Sequence, residues 1–416
     1  MNNRQTLTGG DPAEGSDDRP TLTIGLLWHT FFSENLGVGA LTIANSSLIA
    51  QAVEKAGYRP VFRVIGPRGE LDYGSECAHE HDFTNIGYKA LANPFSDLHR
   101  AIRSCDIAFD IGAGDSFSDI YPWARYNLIL GIKVATKMAG VPLVLSPQTI
   151  GPFFSKRARV GAKAVMQISN HVWARDEMSY ALLEEMDVAG KSSLTTDVAF
   201  ALPFETPADK ESRDLSGGNI KVGLNVSAYL YRHGDVPTDN IRLAANYKEL
   251  VDSILQRLSS DERYEVHLVP HVLIQSRAYD DDYDMALELQ RRFPEAIVPP
   301  RFNGPSDAKS YIAALDLLLG SRMHATIAAI SSNTAVIPLA FSRKFNGLYG
   351  SLNYRWNADL TKQSNEEVLG KLEAALADLP RVRAEAVAAN AEAQKRLGVY
   401  RDYLDTRISE LVANRV

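Results

Sequence analysis

From residue 21 onward, short apolar runs alternate with longer stretches in which apolar residues recur every three or four positions. Short unbroken runs suit strands buried on both faces, and the three-and-four spacing suits amphipathic helices. The predicted strands are TLTIGLLW, PVFRVIG, CDIAFDIGAG, VPLVLSPQ and NHVWAR, with LTTDV as a further one. Between them ALTIANSSLIAQAVEKAG, PFSDLHRAIRS, WARYNLILGIKVATKMAG, SKRARVGAKAVMQIS and EMSYALLEEM predict helices. Such alternation is that of a parallel sheet with crossover helices, so residues 21–203 are expected to form a doubly wound α/β domain.

FETPADKESRDLSGG, residues 204–218, carries Pro, Gly and mixed charge without periodicity and reads as a linker. The pattern then restarts with strands in KVGLNVSA, YEVHLVPHV, DLLLG and AVIPLAF, and with helices near YKELVDSILQRL, near YDMALELQRRF and after GSRMH. A second Rossmann-like domain is therefore expected over 219–362, facing the first across a cleft. Residues 363–416, rich in Ala, Glu, Leu and Arg, predict one or two long helices. Residues 1–20 are polar and Gly/Pro/Asp-rich and are expected to be a disordered tail.

Composition narrows the partners. A chain of 416 residues with 45% hydrophobic and 23% charged residues is globular and too long for one core. Its net charge of −7 argues against a nucleic-acid partner, so an anionic ligand must be held locally. Two cysteines point to a reducing, cytoplasmic setting. No window reads as an uninterrupted membrane span, so any membrane contact is expected to be peripheral.

In open α/β sheets, ligands bind beyond the carboxyl ends of the strands, and here those ends are polar. GSRMHATIAAI places Arg322 and His324 in the first turn of a helix, where backbone N–H groups and the helix dipole favour an anion. The alternative is a core histidine beside an arginine bonded to strand-end carbonyls. After CDIAFDI, the run GAGDSFSD offers Gly114, Asp115 and Asp119, the two carboxylates on one face if a helix starts there. Gln148 follows VPLVLS, Arg175 and Asp176 follow HVWA, and His271 follows VHLVP, with Asp280, Asp281 and Asp282 close behind. Asp115 and Asp176 also read as helix caps, and the triple Asp as a solvated loop. Gly37 and Gly39 precede a predicted helix, but G-x-G alone is a weak dinucleotide signal. P-loop, G-x-S-x-G and His-E-x-x-His patterns are missing. His79, Glu80, His81 and Asp82 in CAHEHDF imitate a ligand set, yet read as a solvated surface turn, and no metal is expected.

With GAGDSFSD, SPQTIGPF, WARDEMS, LVPHV, GSRMHATIAA and FSRKFNGL in this order, residues 24 to 350 resemble the polysaccharide pyruvyl transferase family. The resemblance implies a GT-B-like fold and transfer of the pyruvyl group of phosphoenolpyruvate onto two hydroxyls of a sugar, as a cyclic ketal with release of phosphate. The acceptor would be a sugar or lipid-linked saccharide of a cell-surface polysaccharide or its precursor. Phosphoenolpyruvate would be a co-substrate, with no further cofactor. By the matched motifs, Arg322, Arg175 and Lys344 would bind the donor's anionic groups. His324 would protonate the methylene carbon, and Asp115 would take the attacking hydroxyl's proton or hold the sugar. Gln148, His271, Asp119 and Gly114 complete the expected substrate contacts. Val38 and the G-A-G-D turn depart from the family pattern on the acceptor side. Two other readings share the fold class: a nucleotide-sugar glycosyltransferase and a non-catalytic sugar-binding protein.

Overall fold

The computed structural model describes residues 18–208, 210, 219–234, 242–274 and 280–415. The expected tail up to residue 17, and 209 and 211–218 of the expected linker, lie outside the described residues. The chain divides into two compact units. The first comprises the chain through Ser33, Leu41–Val198 and the chain from Lys395 on; the second comprises Glu34–Ala40 and Ala199–Gln394.

The first unit holds a seven-stranded parallel sheet in the order β3-β2-β1-β4-β5-β6-β7. Its strands are β1 (Thr21–Leu27), β2 (Arg59–Gly66), β3 (His81–Asn85), β4 (Ile107–Asp110), β5 (Leu143–Gln148), β6 (His171–Ala174) and β7 (Ser192–Leu194). Between them run α1 (Leu36–Lys55), α2 (Tyr88–Ala92), α3 (Asp97–Arg103), α4 (Trp123–Met138), α5 (Lys156–Ile168) and α6 (Glu177–Glu185). Local chemistry sets the helix ends: the Ser155 hydroxyl and Asp176 carboxylate cap α5 and α6, and Gly140, at φ 78°, closes α4.

CAHEHDF is a surface turn only in its first half. Its second half is the edge strand β3, paired in parallel with β2 and tied by Arg59–Glu80 (2.8 Å) and Arg63–Asp82 (2.6 Å). An edge strand buries little, so its polar composition hid it. Helix α1 also starts earlier than the apolar run suggests, which puts Gly37 and Gly39 inside it rather than in a phosphate-cradling turn. At that length it is apolar enough to span a membrane, but 83% of the relevant window is buried, as in a core helix.

The second unit holds a five-stranded parallel sheet, β12-β11-β10-β8-β9. The strands are β8 (Ile220–Asn225), β9 (Tyr264–Leu268), β10 (Leu317–Gly320), β11 (Ala335–Ala340) and β12 (Ala358–Asp359). Its helices are α7 (Ala228–His233), α8 (Tyr247–Ser259), α9 (Asp282–Arg292), α10 (Pro305–Ala313), α11 (Met323–Ser331), α12 (Arg343–Ser351), α13 (Asn365–Ala377) and α14 (Leu379–Ala413), the last continuing into the first unit at Lys395. The chain's end joins the first unit through Tyr400, whose hydroxyl donates to Asn45 Oδ1 (3.0 Å) and whose ring packs on Trp173 (5.2 Å). Asn45 in turn bonds Ser146 (3.1 Å) and His29 Nε2 (2.9 Å), so the fully buried His29 is held as an acceptor there.

The strand orders matter for function. The order of strand addition reverses between β1 and β4 in the first sheet and between β8 and β10 in the second, and ligands of doubly wound sheets sit at such switch points.

Candidate active site

At the switch point of the second unit, β8 ends in Asn225 and β10 ends just before Ser321 and Arg322. The fully buried Asn225 joins these exits: its Oδ1 accepts the Arg322 N–H (2.8 Å) and its Nδ2 donates to the Val269 carbonyl beyond β9 (2.9 Å). Arg322 is thereby fixed as the N-cap residue of α11, and His324 follows in the first turn.

The Arg322 guanidinium does not stand open on all sides. Nε and Nη2 donate to Asp282 (3.1 and 2.7 Å), and Nη2 also donates to Asp280 (2.8 Å). Burial works against its charge, yet these carboxylates outweigh it and hold the group above its ordinary range. Nη1 makes no hydrogen bond to a described residue. Asp282, 2% exposed, also accepts the N–H groups of Ala228 (3.0 Å), His271 (3.3 Å) and Val272 (3.1 Å). The three aspartates are therefore no solvated loop: Asp281 caps α9, Asp282 opens it, and Asp280 completes the clamp on Arg322.

His271 is drawn to the same place. Its carbonyl accepts the Leu36 N–H (3.2 Å), and Asn35 pairs with Val272, so residues 34–36 lie along the exit of β9. Both ring nitrogens of His271 are buried and have no hydrogen-bond partner among the described residues. Burial, then the neighbouring charges of His324 and Arg322, pulls the imidazole down to about 3. His324 packs on Gly37, where an added Cβ would lie 2.3 Å from Nδ1. Gly37 thus leaves room for an imidazole, not for a phosphate. Gly37→Ala is expected to displace the ring and lower turnover about 10²-fold, since misplacement by about an ångström is that costly. Thermal melts should move little, and an unchanged rate would remove Gly37 from the site.

Stability should fall with acid. The unfolded chain protonates His271 near 6.5 and the folded chain only near 3, and His29, lowered to about 3 by burial, behaves alike. Between those values the unfolded state binds more protons, so stability is lost as pH drops below 6.5. The slope is up to about 1.4 kcal/mol per pH unit for each histidine. Urea midpoints from pH 7.5 to 5.5 should decline, less steeply for His271→Leu; a flat series would contradict the burial argument.

The first unit carries the other expected residues. After β4 the chain turns through Gly112, Ala113 and Gly114, at φ 54°, 48° and 88°. This left-handed run suits glycine, and Ala113 adopts it at a cost of about 1–2 kcal/mol. No helix begins at Asp115; α4 starts at Trp123, so Asp115 and Asp119 do not share a helix face. Asp115 accepts from the Tyr121 hydroxyl (3.0 Å), a phenol pushed up by burial and then by that carboxylate. Asp119 instead accepts the N–H groups of Phe154 (2.8 Å) and Ser155 (2.9 Å), bracing the loop before α5. Gln148 is fully buried, donates through Nε2 to the carbonyls of Asp110 (2.8 Å) and Ser146 (3.2 Å), and fills the space over Gly112, so it braces this turn.

Arg175 is 3% exposed: Nη1 is paired with Asp197 (2.7 Å), Nε with the Thr149 hydroxyl (2.9 Å). A Cβ at Gly114 would sit 3.4 Å from Nη1 and closer still, 2.7 Å, to Leu41. Gly114, Asp115, Tyr121 and Arg175 thus cluster at this strand edge. Beneath them the buried Asp110–Lys133 pair (2.9 Å) anchors the turn; burial raises the carboxyl and lowers the ammonium, and their mutual contact opposes both shifts. Lys344 lies half-buried in the first turn of α12. Asn225, Asp197 and Thr149, polar residues at or just beyond strand exits, and Tyr121, late in the connection from β4 to α4, are functional candidates without a local sequence signal. Among the described residues no His, Cys, Asp and Glu group is arranged to hold a metal.

The sequence model described as polysaccharide pyruvyl transferase matches residues 38–343. The fold is of the GT-B type. It is similar to a UDP-GlcNAc 2-epimerase of Neisseria meningitidis bound to UDP-GlcNAc (TM-score 0.54, 10% identity, covering 92% of this chain and 99% of that one). MurG of Acinetobacter baumannii is comparable (0.51, 12%, 93% and 99%), as is an α,α-trehalose-phosphate synthase (UDP-forming) of Burkholderia vietnamiensis (0.51, 12%, 95% and 98%). At such identities the likeness concerns the fold alone.

Proposed function

Because the chain belongs to the polysaccharide pyruvyl transferase family and is a transferase, we propose that it uses phosphoenolpyruvate to place a pyruvyl ketal on a sugar. The observation that carries this reading is the pairing of Arg322 with His324 at the opening of α11, beside a second, neutral imidazole. The donor carries a carboxylate and a phosphate, about three negative charges. Arg322 Nη1 and the α11 N-terminus offer donors for them. Asp280 and Asp282 hold the guanidinium plane in one orientation, which suits a planar carboxylate.

His324 is the general acid in this scheme. It gives a proton to the methylene carbon, which becomes a methyl group, and the adjacent carbon becomes cationic. One sugar hydroxyl attacks that carbon. The second then displaces phosphate, so two C–O bonds form and the C–O bond to phosphorus breaks. Of the two hydroxyl protons released, one restores His324 and the other leaves with phosphate or the base. In the first unit, Asp115 beside Tyr121 is the candidate base and sugar contact, and Arg175 shapes that edge through Asp197 and Thr149.

No cofactor beyond the co-substrate enters this scheme, and the acceptor is a sugar of a polysaccharide or its precursor. Cys77 and Cys105 are free thiols, which supports a reducing, cytoplasmic setting. A thermal-shift series tests the donor: phosphoenolpyruvate should raise the melting temperature and UDP-GlcNAc should not. Stabilisation by the nucleotide sugar alone would replace this reading with glycosyl transfer, and binding without phosphate release would favour a non-catalytic sugar-binding protein.

A further inference from the structure

The first unit exposes apolar side chains where a globular protein usually hides them. Phe154 is 76% exposed, Tyr88 and Trp123 each 48%, and Ile120 41%. They are not scattered. Asp119, next to Ile120, holds the N–H of Phe154, and the Tyr88 hydroxyl bonds the carbonyl of Ala124, next to Trp123. The Trp123 ring is set edge-on to Tyr126 at 5.6 Å, which fixes its direction. A contiguous, ordered apolar edge of this kind marks a binding surface, whereas single exposed residues do not. Ile120 and Trp123 follow β4 and Phe154 follows β5, in the connections that also carry Asp115 and Thr149, while Tyr88 opens α2 beyond β3.

Charge selects the partner. Helices α4 and α5 contain no acidic residue. On α5, Arg159 and Lys163 are paired with Glu185 (2.7 Å) and Asp187 (3.6 Å). Lys156, Arg157 and, next to Tyr88, Lys89 enter no ion pair among the described residues. In a protein of net charge −7, this is a locally basic rim around aromatic side chains. Trp and Tyr are at home at the level of lipid headgroups, and each nearby cation adds attraction to an anionic leaflet.

We propose that this edge docks on an anionic lipid surface, and this docking does not depend on the pyruvyl-transfer reading above. The whole chain would then be a peripheral protein at the membrane face, its acceptor-side loops turned towards the headgroups.

Co-sedimentation of the full chain with phosphatidylcholine vesicles, with and without phosphatidylglycerol, tests it. Binding is expected only with the anionic lipid, and salt should weaken it. Trp123→Ser with Phe154→Ser, and separately Lys156→Glu with Arg157→Glu, should each reduce partitioning at least about tenfold. Both variants should keep phosphate release with a water-soluble saccharide, since neither touches the candidate active-site residues. The proposal is overturned if the wild type stays in the supernatant with both vesicles, if the variants bind as the wild type does, or if Trp123→Ser instead abolishes self-association. Vesicle binding by a protein that never turns over phosphoenolpyruvate supports the docking surface and overturns the donor reading.

Discussion

Replacing His324 by glutamine is expected to leave the protein folded and to lower donor-dependent phosphate release about 10²- to 10⁴-fold, the usual contribution of a positioned general acid. The side chain is half-buried on Gly37 in the first turn of α11, and glutamine keeps its bulk and polarity there. No neighbour can take over. His271 lies beside it but is held down at about 3, and so carries no proton to give near neutral pH. Arg322→Lys should show the complementary failure, weak donor binding more than slow chemistry, because a lysine ammonium lacks the fork that the two aspartates orient. A phosphate-release assay over a range of donor concentrations, with circular dichroism as the folding control, separates these outcomes. Turnover near that of the wild type in His324→Gln would remove the imidazole from the proton transfer.

Asp282→Ala is expected to be the most destabilising single change in the site, costing about 3–5 kcal/mol, as when one partner of a buried ion pair is removed. The carboxylate is fully buried, and it gathers Arg322, the start of α7 and the chain at His271 and Val272. Its loss leaves a buried guanidinium under-compensated and three backbone N–H groups without their acceptor. Asp280→Ala should behave differently. That carboxylate is 29% exposed and makes one contact to the same guanidinium, so a cost of about 0–1 kcal/mol is expected. Chemical unfolding of both variants at pH 7.5 gives the comparison. Equal costs would show that Asp282 is not the organising residue argued above.

Much of the architecture could be read from periodicity. Unbroken apolar runs such as LLLG and AVIPLA are wholly buried strands, and the three-and-four spacing of YKELVDSILQRL is the buried stripe of α8. Short elements escaped, because too few residues repeat for a period to show: the edge strand β3, the six residues of α7, the two of β12 and the short helices α10 and α12. The candidate site was legible for a different reason. In a parallel sheet the strand exits are fixed by the same pattern that fixes the strands, so polar residues immediately after them, Arg175, His271, Arg322 and His324, stand out without coordinates.

Their partners did not stand out, because contact between residues far apart in sequence leaves no local trace. That Asp119 and Gln148 are braces, that Asp197 meets Arg175 at 2.7 Å, and that Gly37 faces His324 across the second unit follow from packing between distant segments. The order of residues along the chain establishes which groups reach the strand exits, since periodicity and strand length are local properties. Which of those groups meet a ligand, and which are consumed in holding the others, depends on burial and on pairing across long separations, where desolvation makes an unpartnered charge too costly to leave alone.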